Sequence, residues 1–572
     1  MNICLYIIIG IIFLAPYKYL GQDNVNAMIM GIIAVFAVFS IKKIRGNKKY
    51  LISIVAMGLL SVLTLIKTSL NIDSLQGISL YISAIIIYIL ICNFKEEEEN
   101  ILKLVTYVIA IGAIFYITYE GAILKGGVLE KRIDGNVGYA NSYALLMIIG
   151  IYFNKVREKD FLKEILDMVF IIGIFLTGSR STLLYLGIFF IIDLLKIKKE
   201  TGTLNLKFGL NIIIAAVLYL SIERLGFGII ILIPLLFIIY NYIINDKHIK
   251  IVNILTMIAI PIGAIILFFR ENNLTERLLH MSFGSSELLS RIKYLEDVFN
   301  YIRKNPFGGG INTYIYNQGI FQSEAYDVRY VHNSFGQALY DMGWIGLALF
   351  ITVFVVGILV ILKGKNKNKH YYIFLYMTVY LHSMLDFDFA YIFTFTVLAI
   401  IVALGGRVDV EYSINLKLIT IPVAFIGIYM IFISYINLLA EFNFNHKQYE
   451  STLTLGKILD NSTIGDNYGK EFQFKAHIGI YKSNKDDNEI KKSIELLEKA
   501  KNTPHRLMFI YNGLALSYEN LGNIDTAAYY YEENIKLQKY GLEIYKRYSE
   551  MYKGDKNKAN EIMRRYYDLQ CE

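Results

Sequence analysis

Residues 332–370 read HNSFGQALYDMGWIGLALFITVFVVGILVILKGKNKNKH. The segment is polar at its start, apolar through Leu362 apart from Asp341, and basic at its end. A bilayer-crossing helix needs about 20 mostly apolar residues. This run is long enough. Lysines crowding one end of a span mark the cytoplasmic side, which leaves His332 at the other end. Gly336, Gly343 and Gly346 let a neighbouring helix approach closely.

The same reading extends over most of the 572 residues. Hydrophobic residues make up 55%, charged residues 19%, and mean hydropathy is +0.44. Such a chain cannot cover the surface of several soluble domains. Residues 441–572 hold 20 of the 57 basic and 20 of the 49 acidic residues, leaving 37 and 29 for residues 1–440. The sequence thus predicts a polytopic membrane domain at 1–440 and a soluble domain at 441–572. The net charge of +8 lies in the membrane part and reports topology, not affinity for nucleic acid. Cys4, Cys92 and Cys571 form no CxxC, so a zinc site or disulfide framework is not expected. The apolar run from Ile3 to Ala15 has no basic segment before it and reads as a retained helix. An abundance of Ile, Asn, Lys and Tyr points to a bacterial, AT-rich source.

Fifteen spans are predicted, near 3–18, 25–41, 50–69, 75–93, 101–119, 137–153, 163–177, 181–196, 208–222, 225–244, 251–269, 333–362, 371–385, 387–405 and 417–438. The fold class is therefore all-α, with about 14–15 transmembrane helices and a soluble helical tail. The basic loops at 42–49, 154–163, 196–200, 245–250 and 363–370 all fall on one side of this count, expected to be the cytoplasm. Segments 120–136, 178–181, 270–332 and 382–388, with the C-terminal domain, are then extracytoplasmic. Residues 270–332 form a long external loop, and loops of that length usually carry function. Residues 507–537, LMFIYNGLALSYENLGNIDTAAYYYEENIKL, have the spacing of a tetratricopeptide-like repeat. Weaker copies lie at 490–504 and 541–570.

Charged residues at span ends are functional candidates. Arg180 stands among Thr177, Ser179, Ser181 and Thr182 between two spans, where a guanidinium suits a phosphate oxygen. Arg291 and Tyr294 lie on an amphipathic stretch of the long loop. His332 can take a proton from a hydroxyl, with Asn333 beside it. His382 and Asp386 are four residues apart, which places them on one face of a helix. Arg132, Asp134, Asn136, Tyr139 and Asn141 form a further polar cluster.

In order, GNVGYANSYA (135–144), TGSRS (177–181), SRIKY (290–294) with PFGGG (306–310), HNSFGQALYDMGWIG (332–346) and HSMLD (382–386) resemble the signatures of the O-antigen ligase and O-antigen polymerase superfamily, over roughly residues 100–405. The resemblance implies a GT-C-like membrane glycosyltransferase. Such an enzyme moves a glycan from undecaprenyl diphosphate to an acceptor at the outer membrane face, metal-independently and with inversion. It gives Arg180 and Arg291 the role of holding the diphosphate and His332 that of activating the acceptor. Asn141, Ser179, Tyr294, Asn333, His382 and Asp386 are expected to bind substrate. No cofactor is expected. Partners would be the lipid-linked donor, a glycan, lipid or protein acceptor, and possible proteins bound by the tail. The sequence departs from the family in having Tyr294 where an indole is common, and in an extra span and repeat tail. Ligase and polymerase readings stay open. So do a flippase for lipid-linked sugars, although no internal halves are visible, and a non-catalytic scaffold.

Overall fold

A computed structural model describes residues 3–41, 43–68, 70–120, 132–158, 160, 162–225, 253–254, 256–258, 286–412, 417–462, 464–501 and 506–571. The predicted spans at 225–244 and 251–269, the loop 245–250 and residues 270–285 lie largely or wholly outside them. Each of the other predicted spans coincides with a helix. In chain order these are α1 (Ile3–Leu14), α2 (Tyr17–Leu20), α3 (Gln22–Ser40), α4 (Lys48–Leu63), α5 (Leu65–Thr68), α6 (Ile72–Asn93), α7 (Glu98–Thr118), α8 (Ala140–Val156), α9 (Lys163–Thr177), α10 (Arg180–Thr201) and α11 (Lys207–Leu225). They continue with α12 (Ser286–Lys304), α13 (Tyr314–Phe321), α14 (Ser334–Leu362), α15 (Lys369–Ser383), α16 (Ile392–Gly405) and α17 (Lys417–Asn445).

The protein is an all-α polytopic membrane protein. Among the described residues, six helices are long and apolar enough to cross a bilayer: Gln22–Ser40, Lys48–Thr68, Ile72–Asn93, Lys95–Thr118, Ser334–Leu362 and Ile421–Asn445. Several other predicted spans are shorter. The 15 residues of α9 cover about 22 Å, less than a hydrocarbon core of about 30 Å. This helix stops because Gly178 takes a left-handed φ of +58° and turns the chain into α10.

Two faces can be told apart by their contacts. On one, β1 (Ile44–Gly46) pairs antiparallel with β2 (Val410–Tyr412), Asn366 donates to Glu98, and Lys155 meets Asp193 at 2.7 Å. The described basic loops at 42–49, 154–163 and 363–370 gather here. The opposite face carries the α9–α10 turn, α12, α13 and the α15–α16 loop.

That second face is built around a break in α14. Gly343 is non-helical, with φ +67°. The glycine loop after Pro306 fills the gap, backbone against backbone. Gly309 and Gly310 donate to the carbonyls of Tyr340 and Asp341, and Trp344 N–H donates to Pro306. The loop thus satisfies groups that the kink removes from the helix ladder, as an apolar setting demands.

Helices α18 (Tyr449–Asp460), α19 (Asp466–Asn484), α20 (Asp487–Ala500), α21 (Leu507–Asn520), α22 (Ile524–Leu537), α23 (Leu542–Met551) and α24 (Lys556–Cys571) each pack on the next. Helices α19 to α24 share a core that includes Leu497, Leu514, Ala515, Tyr531 and Tyr545, whereas α18 packs with α3 and α17. Helix α17 continues to Asn445, past the boundary expected at 440. The array is seated on the same face as the α14 kink. Buried Arg506 lies 2.5 Å from Glu471 and stacks on Tyr468, whose hydroxyl donates to Asp73 at the start of α6. Tyr540 donates to the carbonyl of Ser323, and α22 packs on α13.

A Cβ at Gly343 would fall 2.1 Å from the Pro306 carbonyl oxygen. Gly343→Ala is therefore expected to lose more than the ~1–2 kcal/mol of left-handed strain alone, read as a lower thermal midpoint in detergent. An unchanged midpoint would remove the loop-in-kink docking as a structural requirement.

Candidate functional site

The α15–α16 loop carries Asp386, whose side chain is only 1% exposed. A carboxylate so shielded needs donors, and distant parts of the chain supply them. Tyr139 Oη donates to one oxygen at 2.5 Å and Asn141 Nδ2 to the other at 2.9 Å. Arg291 Nη2, from α12, lies 3.4 Å away. His332 Nδ1 lies 3.5 Å away, an ion pair whenever the ring is protonated. Burial acts to raise the pKa of Asp386, but His332 and the Arg291 charge outweigh it and hold the carboxyl below its ordinary range.

Aromatic rings frame this centre. Tyr139 and Phe387 both pack on the His332 ring, and Tyr294 lies 5.9 Å from it. Tyr294 in turn packs on Tyr326. Arg291 also donates to the Leu385 carbonyl, which ties α12 to the loop that holds its counter-charge. Arg132 reaches from the α7–α8 connection, donating to the Thr177 carbonyl and to Asn141.

Arg180 lies beside this centre. It opens α10 and pairs at 2.7 Å with Glu287, one turn before Arg291 on α12. The sequence places no acid near Arg180; the fold brings one from 107 residues away. His332, Arg180 and Arg291 each keep about a fifth of their side-chain surface open.

Three predicted substrate contacts are placed otherwise. Asn333 caps α14, accepting from Gly336 N–H and donating to the Met384 carbonyl. Ser179 is buried in the α9–α10 turn, against Ser181. His382 and Asp386 do not share a helix face, because α15 ends at Ser383. Instead His382 is fully buried, with Nδ1 2.6 Å from Asp388. The other Asp388 oxygen accepts from Ser142. His382, Asp388 and Ser142 are buried and anchor the loop from beneath. Asp386 and Asp388 have Asp-x-Asp spacing, but their carboxylates turn apart toward different donors. Tyr139, Arg132 and Glu287 are the residues whose part sequence reasoning did not assign. The first two were visible as polar residues before α8, whereas nothing in sequence joins Glu287 to Arg180.

The arrangement defines a class: a polytopic helical membrane protein with cationic side chains, an imidazole and a buried carboxylate gathered at one face. Residues 165–351 match the family model described as O-antigen ligase. The match includes Arg180, Arg291 and His332, begins after Asn141 and ends before Asp386. It makes the chain similar to glycosyltransferase-like membrane enzymes of polysaccharide biosynthesis. No curated protein matches the chain.

Asp386→Asn leaves Arg291 and His332 without their anion. A loss of about 3–5 kcal/mol is expected, as for a broken buried pair. Because the folded-state pKa is depressed, the stabilisation is full above about pH 4 and fades as pH falls through the lower folded value. The stability gap between wild type and variant should therefore shrink as pH falls below about 4. A gap that keeps growing below about pH 4 in thermal unfolding would contradict the depressed, ionised state of Asp386.

Proposed function

We propose that the protein transfers a glycan from undecaprenyl diphosphate to an acceptor hydroxyl at the outer face of the cytoplasmic membrane. The observation that carries the reading is the convergence of Arg291, His332, Tyr139 and Asn141 on Asp386, with Arg180 alongside, at the face opposite the basic loops. That charge asymmetry supports a cytoplasmic N-terminus and an extracytoplasmic site. The C-terminal helices, on the site's own face, are then extracytoplasmic as well, and their consecutive packing agrees with a tetratricopeptide-like array at 441–572.

In the proposed step the acceptor oxygen attacks the anomeric carbon. The bond from that carbon to the phosphate oxygen breaks, and undecaprenyl diphosphate leaves with the electron pair. The proton of the hydroxyl passes to His332, and Asp386 stabilises the imidazolium that forms. Arg180 and Arg291 stabilise charge growing on the diphosphate, a contribution that is large where water is excluded. Displacement from the opposite side inverts the anomeric centre. Asn141 and Tyr139 hold Asp386, and Tyr294 offers a ring face beside His332. A site at one membrane face, and not at the midplane, favours transfer over transport.

The test is incubation of purified protein with an undecaprenyl diphosphate-linked oligosaccharide and candidate glycan, lipid and protein acceptors, with products identified by mass spectrometry. Arg180→Ala and Arg291→Ala should each lower transfer by about 10²–10³-fold, and His332→Ala by about 10²–10⁴-fold, in proteins that remain folded. Full activity in both arginine variants would remove the phosphate-holding role. Substrate-dependent ion current in proteoliposomes without product would replace transfer by transport.

A further inference from the structure

The Arg180–Glu287 pair joins two helices that are otherwise held by different neighbours. Helix α10 packs on α8, α9 and α15, whereas α12 packs on α13 and α14. Across this junction Arg180 Nη2 meets Glu287 Oε2 at 2.7 Å. Glu287 is 58% exposed, and Arg180 is more shielded. Arg291 follows Glu287 by four residues, so both lie on one face of α12. The order in space is a guanidinium, a carboxylate, and a second guanidinium one helical turn on. Exposed apolar side chains follow Arg180 on its own face of α10, Leu184 four residues on and Ile188 eight.

We propose that Glu287 is an internal counter-anion occupying the subsite of one phosphate group, and that a polyprenyl diphosphate displaces it from Arg180. The inference rests on the proposed function and names a regulator of that same site. Without lipid, the carboxylate neutralises Arg180 and latches α12 to α10. A diphosphate brings more negative charge and several oxygens to the same cation, while its hydrocarbon chain covers Leu184 and Ile188 on α10. Exchange turns Glu287 away from Arg180, on the side already open to solvent. Lipids with a smaller anionic head compete with Glu287 less effectively, so the latch also selects for the diphosphate.

The experiment uses the full chain in detergent, with equilibrium binding of undecaprenyl diphosphate to wild type, Glu287→Gln, Glu287→Ala, Arg180→Ala, Arg291→Ala and Arg180→Ala/Glu287→Gln. Both Glu287 variants should bind about two- to fivefold more tightly than wild type, the range set by an exposed ion pair. The gain should shrink with added salt and vanish in the Arg180→Ala background. Binding by both Glu287 variants that equals or falls below wild type overturns the latch. If Arg180→Ala and Arg291→Ala bind as wild type does, the phosphate-holding reading itself fails. Weakened arginine variants with no gain at Glu287 sink the latch alone.

Discussion

A carboxylate that is almost closed to water must be surrounded by donors, and the site depends on how Asp386 meets that demand. Its partners come from the turn before α8, from α12 and from the entry to α14. Each of these is anchored by something else: Asn141 by Arg132, Arg291 by the Leu385 carbonyl, and the chain just after His332 by the Asn333 cap, which also donates to the Met384 carbonyl. Little solvent is present to absorb a mismatch, so these positions are fixed together. His382, Asp388 and Ser142 complete the support from below and leave the upper groups accessible.

Helix positions were legible in the sequence because a bilayer imposes a simple rule of length and apolarity. The described spans fall where the apolar runs lie, and α14 was recognisable from its uninterrupted stretch beyond Gly343. Its kink was not, since the glycines suggested close packing without showing that residues 306–310 would be the partner. Among the candidate residues, Arg180 and His332 were visible as costly groups at span ends, and Arg291 on an amphipathic stretch of the long loop. The hub role of Asp386 was hidden, because its partners lie up to 247 residues away. His382 was misread for a local reason: four-residue spacing implies a shared face only while the helix lasts.

The loop that leads into His332 is held from two directions. Arg329 and Tyr330 both engage Asp23 at the start of α3. Further back, α13 lies beneath α22, and Arg506 stacks above Tyr316. The C-terminal helices therefore bear on the segment that delivers the imidazole, and they are not tethered by α17 alone.

The partners of α3 carry a consequence for biogenesis. Asp23 is separated by 306 residues from Arg329, and Asn26 by 364 from Ala390. Both polar side chains are buried once assembly is complete. During synthesis the first helices leave the ribosome long before those partners exist. The N-terminal hairpin must therefore wait in a provisional, incompletely packed state inside the insertion machinery or at its lipid margin. It can lock only after residue 390 has been translated, so maturation of this end of the protein is timed by the emergence of the other.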